Sequence, residues 1–246
     1  MALVVLFIAA TWAGLQNALA GGGSFLTLPS LILSGLDPRA ANITSTVALF
    51  PAQVVIGITG KQHVTGAGGL SVRLLVGISF VGGALGAVLL LVTPSSFFAA
   101  LVPWLVLFAT AIFAYGSFMP KKPGAAPRLG KKGAALSQLL ISIYGGYFGG
   151  GIGFLMLASL SAAGLAIRAA GATKNLLAAV MNCSAVLVFV FSPEIHWKQA
   201  AIVCAGATVG GYCGGMMVNK VNEKALRLLV VVIGAALTVG LFLRAP

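Results

Sequence analysis

The sequence predicts an all-α integral membrane protein of two inverted repeats, each a re-entrant or broken helical hairpin plus three transmembrane helices. Three observations predict it: a composition too poor in charge for water, two long apolar runs broken by glycines, and a lopsided distribution of lysine and arginine. Of 246 residues, 59% are hydrophobic and 7% charged, against about 25% charged in a soluble domain. At about 20 residues per helical span, the length allows roughly seven or eight crossings and no attached soluble domain.

The first element, residues 2–34, is apolar from Ala2, too long for one untilted crossing, and interrupted by Gly21-Gly22-Gly23. No basic residue precedes Arg39, so a cleaved signal peptide is not expected. Continuous spans follow near 40–60, 70–92 and 97–118. Residues 119–133, containing PKKPGAAPRLGKKG, form the long polar segment and read as a linker. The second half repeats the plan. Residues 134–164 are broken at Gly149-Gly150-Gly151-Ile152-Gly153, and spans follow near 169–191, 198–218 and 225–243. The division is repeat one 1–118, a basic cytoplasmic linker 119–133 and repeat two 134–246, within a single transmembrane domain.

The halves are related. With Phe25 on Phe154, GGGSFLTLPSLILSGLDPRAANIT faces GGGIGFLMLASLSAAGLAIRAAGAT once one residue is gapped. Gly35 then matches Gly164, Arg39 matches Arg168, Thr44 matches Thr173 and Gln53 matches Asn182. Further on, Gly82, Gly83 and Gly86 fall on Gly210, Gly211 and Gly214, which read as helix-packing positions. If each broken run crosses the membrane, the repeats are parallel. If each returns to its own side, they are inverted. Cytoplasmic enrichment of Lys and Arg decides between these. The inverted arrangement puts Lys61, Arg73, Lys121, Lys122, Arg128, Lys131, Lys132, Arg168, Lys220, Lys224 and Arg227 inside, and Arg39, Lys198 and Arg244 outside, eleven against three. The parallel one gives nine against five. Paired glycine-broken segments in inverted repeats point to a secondary transporter with its site near the midplane.

Composition also narrows the function. A net charge of +12, with Asp37, Glu194 and Glu223 the only acids, would suggest nucleic acid in a soluble protein. Here the basic residues flank apolar runs, so topology accounts for them and no nucleic-acid partner is expected. Cys183, Cys204 and Cys213 suit neither a zinc site nor a disulfide framework, and no metal or cofactor is expected. Paired carboxylates and His-rich metal spacing are absent from the sequence, so no catalytic residues are assigned and an enzyme is not expected.

The block GGGSFLTLPSLILSGLDPRAANITST resembles the sulfite exporter TauE/SafE family of membrane transporters, with its glycine run, Phe-Leu, Pro and Gly-Leu-x-Pro-x-x-Ala-x-x-Thr-Ser. The second copy, GGGIGFLMLASLSAAGLAIRAAGATKNLLAAVMN, resembles one branch of that family in its Thr-Lys and later Asn. The resemblance covers essentially the whole chain and implies export of sulfite, sulfoacetate or a related sulfur-containing anion. The second copy departs from the pattern where Ala158 replaces Pro29 and Ala166-Ile167 replaces Asp37-Pro38.

An oxyanion needs hydrogen-bond donors and positive potential without a competing carboxylate. A helix that begins inside the membrane supplies both through its free N–H groups and its dipole. Gly22, Gly23 and Ser24 are expected to open one such half-helix, and Gly151, Ile152 and Gly153 the other. Lys174, flanked by Thr173 and Asn175 inside an apolar run, is the expected substrate cation, against the alternative of a lysine snorkelling from a helix end. Thr44 and Ser45 occupy the matching place in repeat one. They donate hydroxyls to the ligand or bond back to their own helix. The amides of Gln53 and Asn182 look for partners across the bundle or on the ligand. The expected function is a secondary transporter in the inner membrane, multi-pass, exporting a small sulfur-containing anion. An anion channel or uniporter, or a transporter of a small carboxylate, is the alternative. The expected partners are the anion and membrane lipid, with a homodimer and proton coupling left open.

Overall fold

The computed structural model describes residues 2–19, 23–58, 61–118, 129–217 and 223–244. Ten α-helices follow one another: α1 Ala2–Leu19, α2 Ser24–Leu33, α3 Pro38–Ile58, α4 Val72–Val92, α5 Ser95–Phe118, α6 Lys131–Tyr147, α7 Ile152–Ala162, α8 Ile167–Phe189, α9 Trp197–Met217 and α10 Glu223–Arg244. A 3-10 turn, Lys61–His63, lies between α3 and α4. Four described helices, α3, α4, α5 and α8, are long and apolar enough to cross a membrane. Linker residues 119–128 lie outside the described residues, whereas Lys131, Lys132 and Gly133, expected in the linker, form the first turn of α6. Gly130 precedes that turn in extended conformation, so the helix starts as soon as the glycine and proline run has ended.

Both long apolar runs are broken where the glycines stand, between α1 and α2 and between α6 and α7. With 11 residues, α7 is about 17 Å long at 1.5 Å per residue, roughly half the hydrocarbon thickness of a bilayer. It folds back on α6. The hydroxyls of Ser137 and Ser159 meet at 2.7 Å, and the Leu129 N–H donates to the Ala162 carbonyl at 3.0 Å, closing the two ends of the hairpin. The Gly68 N–H donates to Ala163 O at 3.1 Å, so the loop after α3 lies at this same end. At the opposite end the Arg39 guanidinium pairs with Glu194 and donates to the Thr93 carbonyl.

Helices α3 and α8 occupy equivalent places in the two halves and run antiparallel. Gly57 packs on Asn175 and Ala179, the Gln53 amide bonds Asn182 further along, and Thr44 meets His196 beyond the end of α8. The wider packing has the same reciprocity. Helix α1 packs on α9 and α6 on α4, α3 on α9 and α8 on α4, while α5 packs on α10. The two closest crossings depend on small residues. A β-carbon at Gly86 would overlap the Ile143 carbonyl, one at Gly146 that of Gly83, and one at Gly210 that of Thr11. Such approach is how helices gain dispersion contact where lipid removes the hydrophobic drive.

Both half-helices end in one way. Gly35 and Gly164 have φ +97°, the left-handed region that a Cβ disfavours. Around them Leu36 N bonds Leu31 O and Leu165 N bonds Leu160 O, with the shorter Gly35–Ile32 and Gly164–Ser161 bonds inside, a Schellman motif in each copy. The motif stops α2 and α7 within the bundle and turns the chain directly into α3 and α8.

Candidate functional site

The two inner helix starts converge on one ring. Phe25, second residue of α2, and Phe154, third residue of α7, both pack edge-to-face on Phe113 of α5, with centroids 5.9 and 4.5 Å away. The matched phenylalanines therefore bring both half-helix N-termini to the same level of α5.

At the start of α7, Gly151 is the N-cap with φ +74° and no side chain caps the helix. A β-carbon at Gly151 would lie 3.2 Å from the Ala109 carbonyl, so the turn is pressed against α5. Phe154 and Leu155 direct their N–H groups to Gly151 O, while among the described residues no acceptor faces the N–H groups of Ile152 and Gly153. Unpaired first-turn donors together with the helix dipole make this end electropositive. Lys174, eighth residue of α8 and partly buried, stands beside it: a β-carbon on Gly153 would lie 3.6 Å from Lys174 Nζ. Among the described residues Lys174 has no ion pair and no hydrogen-bond acceptor. Asp37 and Glu194 are engaged far away, on the Arg39 amide and the Arg39 guanidinium. A lysine and an uncapped helix start side by side, without a carboxylate, repel each other unless an anion lies between them.

The start of α2 has the same first-turn pattern, with Leu26 and Thr27 on Gly23 O, no side-chain cap, and among the described residues no acceptor for the Ser24 and Phe25 amides, but no cation stands beside it. Gly22 lies outside the described residues. Gly23, the residue before α2, is buried against α1, and its own N–H donates to Asn17 Oδ1 at 3.4 Å. Ser45, the counterpart of Lys174, meets the Thr27 hydroxyl at 2.6 Å, both fully enclosed. Thr44 accepts the His196 N–H at 3.2 Å and Thr173 accepts the Thr65 N–H at 3.1 Å. Each matched threonine thereby pins the loop that follows the other copy's central helix. Gln53 and Asn182 bond one another across the bundle. Asn175 presents its backbone carbonyl towards Gly57 and keeps a partly buried side chain. The structure thus brings Gly151, Gly153 and Lys174 together, engages Ser45, Gln53 and Asn182 in contacts between helices, and holds Thr44 and Thr173 on the loop residues His196 and Thr65.

Ser24 opens onto a cavity of about 380 Å³ between α2, α3, α5 and α10. Ser24 and Asn42 are the polar side chains among its lining residues, and the others, such as Leu28, Ile32 and Leu237, are apolar. Lys174 is not in its wall. Asn17 and Asn42 are two polar positions that sequence reasoning misses. Asn42 is buried, and its Nδ2 donates to the Tyr147 carbonyl at 3.1 Å, tying α3 to the chain just before the α7 start. An amide in an apolar run is the available signal, but its partner lies 105 residues away.

Comparison with known proteins agrees with this architecture. The family model described as Sulfite exporter TauE/SafE matches residues 6–241. The chain is 27% identical to "Probable membrane transporter protein YfcA" of Escherichia coli strain K12, over 97% of this chain and 89% of that protein. It is 27% identical to a "Probable membrane transporter protein" of Haemophilus influenzae, over 96% and 92% of the two chains. It is 28% identical to "Probable membrane transporter protein ORF9" of a Sinorhizobium species, over 97% and 92%. A helical, multi-pass architecture with glycine-broken hairpins and a match along nearly its whole length together establish that the chain belongs to the sulfite exporter TauE/SafE family of membrane transporters.

Proposed function

We propose that the protein is a secondary transporter that exports a small sulfur-containing anion, sulfite, sulfoacetate or a related organosulfonate, across the inner membrane. The observation that carries this reading is Lys174 beside the uncapped start of α7 with no carboxylate facing it. The Ile152 and Gly153 amides and the ammonium are donors arranged for an oxyanion, and charge-assisted bonds of this kind are about twice as strong as neutral ones.

The architecture is that of two inverted repeats, 1–118 and 134–246, each a re-entrant hairpin plus three transmembrane helices, joined by the basic segment 119–133. The antiparallel run of α3 and α8, the reciprocal helix contacts and the meeting of Leu129 with Ala162 support it. With the basic linker in the cytoplasm, the Leu129–Ala162 end faces the cytoplasm and the Arg39–Glu194 end faces outward. An anion leaving a negative-inside cell gains about 2.3 kcal/mol per charge per 100 mV. Export of a monoanion therefore needs no coupled proton.

The test is ligand-induced thermal shift on purified protein with sulfite and sulfoacetate. Lys174→Ala abolishes the shift while the unliganded protein keeps its melting temperature or gains, since an unpaired charge is removed. Lys174→Arg retains part of the response. An unchanged shift in Lys174→Ala refutes the assignment.

A further inference from the structure

We infer that two loops act as clasps that gate the Lys174 site from opposite ends of the molecule, and that the outer clasp is the stronger, so the resting protein opens towards the cytoplasm. The inference rests on the proposed transporter and adds to it the residues that close each side. Each loop follows the central helix of one half and fastens onto the other half. The inner clasp is the loop after α3, residues 61–71, and the outer one is residues 190–196, between α8 and α9.

Neutral bonds hold the inner clasp. The Thr65 N–H donates to the Thr173 hydroxyl at 3.1 Å, that hydroxyl donates to the Thr65 carbonyl at 3.2 Å, and the Gly68 N–H donates to the Ala163 carbonyl at 3.1 Å. Thr173 directly precedes Lys174, and Ala163 is the C-cap of α7. One loop therefore ties down both helices that hold the site. Gly57, near the end of α3, packs on Asn175 directly after the lysine. Releasing the loop parts the end of α3 from the α7–α8 hairpin, on the flank of α8 where Lys174 follows Thr173.

The outer clasp repeats the threonine and adds charge. The His196 N–H donates to the hydroxyl of Thr44, the match of Thr173, at 3.2 Å. Arg39 pairs with Glu194 through Nε at 2.9 Å and through Nη2, and its Nη1 donates to the Thr93 carbonyl, which draws the turn between α4 and α5 into the clasp. Charge-assisted bonds are about twice as strong as neutral ones. With the two side chains 16% and 26% exposed, salt screens this pair less than one on an open surface. The inner end has no equivalent. In the same register Arg168 matches Arg39 and Thr65 matches Glu194, and Arg168 is exposed with no ion pair among the described residues. Both clasps lie on the antiparallel pair α3 and α8, at its opposite ends, with the Gln53–Asn182 bond between them. A tilt of that pair opens one end while pressing the other shut, and the ion pair makes the inner end the easier to open.

The experiment is thiol labelling of Lys174→Cys in the full chain, with Cys183, Cys204 and Cys213 replaced by alanine. Membrane-impermeant sulfonatoethyl methanethiosulfonate is applied to either face of sealed vesicles, and the exposed Lys132→Cys, in a separate sample, marks the face of the inner clasp. Labelling is expected from that face and about tenfold slower from the other, the factor for one charge-assisted bond at the low end of its range. Thr173→Val keeps the shape, removes the hydroxyl and should raise the inner rate about fivefold, the factor for one net neutral hydrogen bond, without raising the outer rate. Glu194→Gln should raise the outer rate about ten- to hundredfold. Asn175→Cys, with the lysine in place, should give the same order. Faster labelling from the outer face without either substitution overturns the inference, and so does labelling from neither face. Thr173→Val and Glu194→Gln that each raise both rates alike show a general loosening of the fold and overturn it as well. If Lys174→Ala loses the sulfite-induced thermal shift while labelling responds to neither clasp, the anion site stands and only the clasps fall.

Discussion

Replacing Gly153 by alanine separates stability from anion binding, because the two should move in opposite directions. Gly153 is the second residue of α7 with an ordinary helical backbone, and Lys174 Nζ would lie 3.6 Å from the new methyl. That is normal van der Waals contact, so nothing needs to shift. Glycine costs a helix interior up to about 1 kcal/mol relative to alanine. Removing that cost should raise the melting temperature by about 2–4 °C for a chain of this size. The same methyl stands between the ammonium and the free N–H groups, in space that a bridging oxyanion uses. Losing one charge-assisted hydrogen bond costs about 1.5–3 kcal/mol, or roughly ten- to hundredfold in affinity. The assay is a melting curve with and without sulfite, combined with titration calorimetry. A raised melting temperature with full sulfite affinity refutes the placement of the anion between Lys174 and the α7 start.

Other substitutions test the scaffold around that site. Asn182→Leu removes the bond to Gln53 across the bundle, and a double-mutant cycle with Gln53→Leu should return a coupling of about 0.6–1.7 kcal/mol, the range for amides between membrane helices. Glu194→Gln leaves the Arg39 guanidinium with the Leu91 and Thr93 carbonyls, lowering stability by about 1–3 kcal/mol; the exchange Arg39→Glu with Glu194→Arg should not rescue it in a melting assay, because a carboxylate would then face those carbonyls. Gly146→Ala forces α4 and α6 apart at the Gly83 carbonyl and should cost about 1–3 kcal/mol in chemical denaturation, whereas Gly77→Ala, with open space around it, should cost nothing.

Much of the scaffold is legible in sequence because it conflicts with its own surroundings. Glycine runs inside apolar stretches are costly in a plain membrane helix, and both mark the breaks seen between α1 and α2 and between α6 and α7. Lys174 announces itself as a charge in a hydrophobic run. What sequence does not supply is partners. Thr44 and His196 lie 152 residues apart, Thr173 and Thr65 108, and Arg39 and Glu194 155. Those pairs exist only once α3 and α8 run antiparallel, and no local pattern encodes that. The apolar cavity is invisible for a similar reason: its walls come from helices at both ends of the chain, and leucines in a membrane helix face lipid and cavity alike.

The matched positions are equivalent in sequence, and the structure divides them. Ser45 and Lys174 align, yet Ser45 is closed off by Thr27, whereas the counterpart of Thr27 is Met156, whose thioether is at most a weak acceptor. Asn17 accepts the N–H of Gly23, the residue before α2, and neither half-helix has a side-chain cap. Among the described residues both starts leave two first-turn amides open, and only the α7 start has an ammonium beside them. Duplication alone would suggest two equal jaws and two anions. The single ammonium, with Ser45 enclosed in its counterpart's place, argues for one anion per chain, gripped by the α7 side and only bordered by α2. Titration calorimetry should therefore fit a single site, and Thr27→Val should loosen packing around Ser45 without changing that count. A second site of comparable affinity would mean that the Thr27–Ser45 pair opens to ligand, and the asymmetry argued from it would fail.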